Sequence, residues 1–191
     1  DQSIHIAQMS SAPSVSLETL EQSWNTIKDG IEETKRIEAE NRRERDSFEN
    51  LIMNQLMNNN NDLYGVVYGL VSVAVEVVCG ELEIVKPIVK ISDEFAQTGC
   101  YVPEIKELHI GRRYANLTSK EDLIRLMEII AHELRHKWQF DNNHASLEDS
   151  YITAAEDKDA YRNQWIEKDA YAYGEEHREE LANLIIEVMK I

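Results

Sequence analysis

The chain is organised around the run Ile129-Ile130-Ala131-His132-Glu133-Leu134-Arg135-His136-Lys137-Trp138, which contains the pattern His-Glu-x-x-His. Residues four apart lie on one face of an α-helix, so the imidazoles of His132 and His136 can bind a single metal ion. Glu133 follows the first histidine by about 100° of helix rotation. A carboxylate there can accept a proton from a metal-activated water without being a metal ligand. The pattern therefore predicts a catalytic zinc site with Glu133 as general base.

The neighbouring sequence predicts a long amphipathic helix around this motif. Thr118-Ser119-Lys120-Glu121 has the form of a capping box, Ser/Thr-x-x-Glu, and indicates where that helix begins. Apolar residues then recur at steps of three and four: Leu123, Met127, Ile130, Ala131, Leu134 and Trp138. We therefore expect the helix to pack on a core through this stripe, with the two histidines beside the centre of the stripe.

A catalytic zinc ion needs a third protein ligand and one open position for water. A second helical stretch, Tyr161 to Tyr173, carries Glu167. The helix face of Glu167 also holds small and polar residues that leave room for a site: Asn163, Gln164, Ala170, Tyr171 and Gly174. Two alternatives to Glu167 stay open. Glu156 lies in an acidic cluster near a helix start, and His144 follows the motif on the same segment.

The motif and the run Glu167-Lys168-Asp169-Ala170 together resemble small gluzincin-type metallopeptidases, and are similar to the compact ImmA/IrrE group of bacterial and phage zincins. The resemblance covers about Ser92 to Gly174. It implies a minimal zincin-like domain, with a short sheet, an active-site helix and a glutamate helix. It also implies that zinc is bound by His132, His136 and Glu167. Large gluzincins often carry an aspartate four residues after the glutamate, where this chain has Tyr171, so the group that orients the first histidine stays open.

The tetrahedral oxyanion of peptide hydrolysis needs a hydrogen-bond donor besides the metal. Tyr171 is our first candidate for this catalytic role because it shares the helix face of Glu167. Tyr161, Tyr173 and His144 are the alternatives. Packing in a core is the ordinary role of any one tyrosine.

The pattern along the chain predicts an α+β, mainly helical fold in three parts. Residues 1–16 are Ser-rich and aperiodic, which indicates a flexible tail. Residues 17–61 form a helical extension, either one long helix or a hairpin, and the Asn-rich run 58–62 breaks it. A heptad-like seam lies on this extension: Leu17, Leu20, Trp24, Ile27 and Ile31. Residues 62–191 form the zincin-like metallopeptidase domain.

Within that domain, the apolar run 63–78 is short and interrupted for a membrane span, and we expect a buried core helix. Three short strands follow, at Ile88 to Ile91, Cys100 to Val102 and Ile105 to Ile110. The last strand leads towards the metal helix. We expect its edge to pair with an extended peptide substrate.

The formal net charge of -16 argues against a nucleic-acid backbone or an anionic membrane as the main partner. Cys79 and Cys100 form no Cys-x-x-Cys pair, which favours buried, reduced thiols in a cytosolic protein. The first residues lack a basic region followed by an apolar run, so no secretory signal is expected.

The sequence therefore predicts a zinc-dependent endopeptidase that hydrolyses a protein or peptide substrate. By resemblance, we expect the protein to be bacterial or phage-encoded and to act in the cytoplasm. The alternative is a weak or inactive zincin-fold binding protein, which engages a partner protein through its acidic surface and N-terminal helices. A metal-dependent hydrolase of a non-peptide substrate is a third hypothesis.

Overall fold

The computed structural model describes residues 17–58, 63–92, 98–143 and 152–191. The predicted tail (1–16), most of the Asn-rich break and His144 lie outside these residues. The described elements are α1 (Leu17–Asn58), α2 (Leu63–Glu81), β1 (Ile88–Ser92), β2 (Gly99–Val102), β3 (Glu107–Gly111), a 3-10 turn (Arg112–Tyr114), α3 (Lys120–Asp141), α4 (Lys158–Asn163) and α5 (Trp165–Met189). The α+β, mainly helical fold class is confirmed.

The chain divides into two compact units, Asp1–Glu44 and Arg45–Ile191. Helix α1 runs through this boundary as one helix of 42 residues, so the extension is a long helix and not a hairpin. Its last part belongs to the second unit, because Phe48 and Ile52 are buried in the core of that unit.

Helix α2 is the core helix that the apolar run predicts. Its buried side chains belong to the same hydrophobic cluster as the stripe of α3: Val66, Val67, Leu70, Val71, Ala74, Val75, Val78 and Cys79. On length and composition alone, Tyr64–Glu81 could also cross a membrane, and 44% of that span is buried in the structure. Because its apolar face packs on the rest of the unit, we interpret α2 as a core helix.

The three predicted strands form one mixed sheet with the order β1-β3-β2. Strand β1 pairs parallel to β3, and β2 pairs antiparallel to β3. The central strand is therefore β3, and both of its edges are already paired. The prediction that the strand at Ile105 to Ile110 offers an edge to a peptide is wrong, because its two edges are occupied by β1 and β2; the sheet edge that lies against α3 belongs to β2.

The N-cap of helix α3 lies one residue later than the capping box predicts. Its N-cap is Ser119, whose side chain accepts a hydrogen bond from the Asp122 main-chain N–H (3.1 Å). The Asp122 carboxylate in turn accepts from the N–H and hydroxyl of Thr118 (3.0 and 2.6 Å). The N-cap is thus Ser119 and not Thr118, and the carboxylate that reaches back is that of Asp122 and not that of Glu121. The predicted stripe is buried apart from Trp138, which is half-buried.

The predicted helical stretch from Tyr161 to Tyr173 is broken at Gln164, which has extended backbone (φ -62°, ψ 142°). The side chain of Gln164 explains the break. It accepts from the Ile152 N–H (3.0 Å) and donates to the Ile152 carbonyl (2.8 Å), which ties this residue to the preceding segment. As a result, α5 begins at Trp165 and Glu167 lies in its first turn, while Asn163 belongs to α4.

Both cysteines are free thiols; Cys79 is buried and Cys100 is half-buried. Burial raises the pKa of each thiol to about 11, so both stay protonated at neutral pH. The prediction of buried, reduced thiols holds for Cys79, while Cys100 is a free thiol that is only half-buried.

Candidate metal centre

The packing of α5 on α3 brings together the side chains of His132, His136 and Glu167. Their possible ligand atoms all lie within 4.8 Å of one another. The distance between the Nε2 atoms of His132 and His136 is 3.1 Å. The carboxylate of Glu167 lies 3.6 Å from His132 Nε2 and 3.4 Å from His136 Nε2. Among the described residues, this is the group of histidine, cysteine and acidic side chains that could hold a metal ion.

The spacing of these atoms fits a zinc ion. Donor atoms at about 2.0–2.1 Å from a tetrahedral ion lie about 3.3–3.4 Å apart, which is close to the three separations here. Two imidazole nitrogens and one carboxylate are a donor set that zinc accepts in catalytic sites. Glu167 is fully buried (0% exposed) and His132 is 9% exposed, so the donors converge inside the protein. Three protein ligands leave one position for water or substrate.

The surroundings act in opposite directions on the pKa values of the two histidines. Burial, together with neighbouring His136, lowers the pKa of His132 to about 4, so this imidazole is neutral and keeps a lone pair. Burial alone would also lower the pKa of His136, but the Glu167 hydrogen bond and the charge of Glu133 outweigh it and raise that pKa. The Nδ1 atom of His132 has no hydrogen-bond partner among the described residues by distance and angle. The backbone of Ala170 nevertheless acts on this ring to favour its protonated form.

Glu133 lies beside the three donors but is not one of them. Its Oε2 accepts a hydrogen bond from the main-chain N–H of Tyr101 in β2 (2.9 Å). Burial raises the pKa of Glu133, while His136 and the Tyr101 N–H oppose this effect. A buried carboxylate with a raised pKa is a better-matched proton acceptor at neutral pH than an exposed one.

Strand β2 approaches Glu133 closely at Gly99. A Cβ atom on Gly99 would lie 2.6 Å from Ile129 Cγ2 and 3.1 Å from Glu133 Cγ. Any side chain there would push β2 away from α3. The glycine thus allows the sheet edge to lie directly against the helix face that carries Glu133.

Tyr171 lies at the cluster, as predicted. Its ring centroid is 4.4 Å from that of His132. The residue is 40% exposed. Burial and the charge of Glu167 raise the pKa of Tyr171 in spite of Arg162, so the phenol keeps its proton and can donate a hydrogen bond.

Three other candidates, which lie among the described residues, are not part of the cluster. Glu156 is exposed in a turn, where it accepts hydrogen bonds from the N–H and hydroxyl of Thr153 (both 2.8 Å). Tyr173 donates to Glu81 (3.0 Å) and stacks on His177. Tyr161 belongs to α4, outside the helix that carries Glu167.

Sequence reasoning missed a buried polar network behind His136. Gln139 is 0% exposed. The distance between its Oε1 atom and the Nδ1 atom of His136 is 2.8 Å. The Asp169 carboxylate accepts hydrogen bonds from Arg135 (2.7 and 3.1 Å) and from Gln139 (2.8 Å). One signal was available. Gln139 follows His136 by three residues and so shares its helix face.

Gly174 sets the closest approach of α5 to α3. A Cβ atom there would lie 2.9 Å from the Glu128 carbonyl oxygen and 3.4 Å from His132 Cβ. Backbone cannot yield as a flexible side chain does, so the helices would have to separate beside a candidate ligand.

We expect Gly174→Ala to lower the free energy of unfolding by about 1–3 kcal/mol, the usual effect of an added methyl group in a packed interior. Urea unfolding of the purified protein measures this. Gly69→Ala is the matched control, because Gly69 is also helical and a Cβ there would meet nothing within 4 Å. That change should stabilise the protein by about 0.5–1 kcal/mol. Equal stabilisation by both substitutions would contradict the close packing of α5 on α3.

Comparison with known proteins gives a family match to the N-terminal part of the chain and a short match to a curated relative. Residues 1–63 match the family model "Toxic anion resistance protein (TelA)". A similar curated protein is "Uncharacterized protein YceH" of Bacillus subtilis (strain 168), with 56% identity over 45 residues. That alignment covers 24% of this chain and 12% of YceH, so the chain spans only a small part of the relative. No solved structure matches. The family match thus covers α1, and the candidate metal centre lies beyond it.

Proposed function

We propose that this protein is a zinc-dependent peptidase that hydrolyses a peptide bond in a protein substrate. One observation carries the proposal. Two imidazoles and a buried carboxylate converge within 4.8 Å, and a second carboxylate, Glu133, is buried beside them without belonging to the set. A purely structural zinc site has no use for such a carboxylate, because its four positions are all taken by protein ligands.

His132, His136 and Glu167 would hold the metal. A bound zinc ion supplies a Lewis acid, which lowers the pKa of water from about 15.7 to about 7 and polarises a carbonyl group. Glu133 accepts the proton of the attacking water and delivers it to the leaving amine. The Tyr101 N–H holds the Glu133 carboxylate in place for both transfers. The Tyr171 ring lies beside His132, and the Tyr171 hydroxyl is our candidate to donate a hydrogen bond to the oxyanion.

The position of β2 supports a peptide as substrate. This strand is an edge of the sheet, and its Tyr101 N–H points at Glu133. Extended peptides commonly bind by adding to the edge of a sheet, where their main chain finds hydrogen-bond partners. Because the Tyr101 N–H is already bonded to Glu133 and part of this edge packs on α3, a peptide would have to add along the remainder of β2, beside Glu133. The acidic net charge favours basic or neutral substrates over nucleic acid or anionic membrane, and the resemblance favours the cytoplasm as the site of action.

The test is a substrate screen with purified protein, using a mixed peptide library, small amides and small esters in parallel. The proposal expects cleavage of peptides that stops with a zinc chelator and returns when zinc is added. Cleavage of esters or amides without peptides would favour the non-peptide hydrolase instead. No metal-dependent hydrolysis of any substrate would reject the enzyme proposal.

A second candidate function, partner binding through α1, is favoured by an exposed seam on that helix. The α1 seam consists of Trp24, Ile27 and Ile31, which are 66%, 54% and 50% exposed. Their spacing of three and four residues is that of a coiled-coil seam. If two copies of α1 paired in parallel and in register, each of these side chains would contact the same side chain of the other copy. We therefore take a second copy of this chain as the partner.

Sedimentation velocity tests this pairing. We expect the sedimentation coefficient of the wild type to rise with protein concentration, and that of Ile27→Asp/Ile31→Asp to stay at the monomer value, because the two carboxylates would be buried in the seam. Glu133→Gln is the control and should associate like the wild type. A wild type that remains monomeric over the same concentrations would exclude self-association through the α1 seam.

A further inference from the structure

Gln139 connects His136 to the first turn of α5. Its Nε2 donates to the Ile166 carbonyl (2.9 Å) and to the Asp169 carboxylate (2.8 Å), and its Oε1 lies 2.8 Å from His136 Nδ1. The side chain is fully buried (0% exposed). The two acceptors lie on either side of Glu167 in sequence. One amide therefore contacts a candidate ligand on α3 and holds the turn that carries another.

The orientation of this amide is determined by its partners. A carbonyl and a carboxylate oxygen can only accept hydrogen bonds, so the amide NH₂ must face them. The Gln139 Oε1 then faces His136 and can only accept. His136 must consequently donate from Nδ1. The neutral form of the ring therefore has its proton on Nδ1 and its lone pair on Nε2, the atom nearest to His132 and Glu167.

The far end of the network is anchored on α3 by Arg135. This guanidinium makes two hydrogen bonds to Asp169, at 2.7 and 3.1 Å. Arg135 also lies 4.0 Å from the Trp138 ring centroid, which restricts its movement. Asp169 therefore receives donors from both Arg135 and Gln139, and its carboxylate has a fixed position from which to accept from the amide.

We infer that Gln139 is a positioning residue that sets the tautomer of His136 and the register of the Glu167 turn before any metal binds. The inference extends the proposed metal centre and rests on it. Gln139 should therefore raise the affinity for zinc, because neither the tautomer of His136 nor the position of Glu167 has to change when zinc binds. Loss of such an outer partner typically weakens metal binding by about 10- to 100-fold.

The experiment compares Gln139→Leu with the double variant Gln139→Glu/Asp169→Asn. The leucine removes both sets of hydrogen bonds at similar volume. In the double variant the negative charge lies on residue 139 instead of residue 169, so the net charge of the network is unchanged. The carboxylate introduced at position 139 would still accept from His136, and the amide introduced at position 169 would donate to that carboxylate. Two quantities are measured: zinc affinity by competition with a chelator, and the histidine tautomer of the zinc-free protein from ¹⁵N–¹H correlation spectra at a pH where imidazole is neutral.

We expect Gln139→Leu to bind zinc about 10- to 100-fold more weakly and to lose the single Nδ1-H tautomer of His136. The double variant should recover that tautomer and part of the affinity. Gln55→Leu is the matched control, because the Gln55 amide also donates to a carbonyl of α5 (Met189, 2.8 Å) but far from the site. It should leave both quantities unchanged.

Wild-type affinity and tautomer in Gln139→Leu would overturn the inference, as would equal losses in Gln55→Leu. A failure of the double variant to recover the tautomer would also count against it. The proposed function can fail separately. If the wild type binds no zinc, the metal centre is rejected, while the tautomer of the zinc-free protein still tests the role of Gln139.

Discussion

Glu133→Gln is expected to lower kcat/KM for peptide hydrolysis by about 10²- to 10⁴-fold, the usual contribution of a general base, while zinc remains bound at the wild-type stoichiometry. Glutamine has nearly the shape of glutamate, and its Oε1 can still accept the hydrogen bond from the Tyr101 N–H. What it lacks is the ability to take a proton from water. The variant therefore separates proton transfer from folding and from metal binding.

Glu133→Ala should abolish hydrolysis as well, but with an additional effect on stability. It leaves the Tyr101 N–H without its acceptor in a buried position, which costs about 1–3 kcal/mol. Comparing the two variants thus shows whether a loss of activity follows the proton acceptor or the fold. Glu121→Ala is a suitable control, because Glu121 is an exposed carboxylate on the same helix. Wild-type hydrolysis by Glu133→Gln would refute the role assigned to Glu133.

The helix-borne part of the candidate site could be predicted from local sequence. Glu133 and His136 follow His132 by one and four positions. The helical period alone determines that the two histidines share a face. The apolar stripe of α3 predicts which side of this helix is buried. These relations hold within one helix, so they need no knowledge of the rest of the chain.

The contribution of α5 could not be derived in the same way. The distance between Glu167 and the histidines depends on how α5 packs on α3, and no periodicity in either helix determines that packing; the prediction came from a resemblance. Gly174 does permit the close approach, but a glycine in a helix has no unique meaning in sequence.

The sheet illustrates the same limit. The three strands were predicted near their observed positions, but the edge offered to substrate was assigned to β3. Which strand is central depends on the parallel pairing of β1 with β3, a contact between distant residues. Similarly, the stretch around Gln164 has a helical pattern, and two hydrogen bonds to Ile152 override it.

His132→Ala and Glu167→Ala should each abolish stoichiometric zinc binding. Each substitution removes one of the three metal ligands. Loss of a hydrogen-bond partner of a ligand typically weakens metal binding by about 10- to 100-fold, and loss of a ligand itself should weaken zinc binding by more. Elemental analysis of purified protein, with about one zinc per wild-type chain, is the measurement. Glu156→Ala is the matched control. This exposed carboxylate bonds to Thr153, away from the three donors, and its loss should leave zinc content unchanged.

Thermal unfolding gives an independent measure of the same site. A ligand that binds only the folded state stabilises it by about 4 kcal/mol when present at a thousand times its Kd. Added zinc should therefore raise the Tm of the wild type and of Glu156→Ala, and leave the Tm of His132→Ala and Glu167→Ala unchanged. If Glu167→Ala retains one zinc ion, the third ligand must be another side chain, with Glu156 and His144 as the first to test.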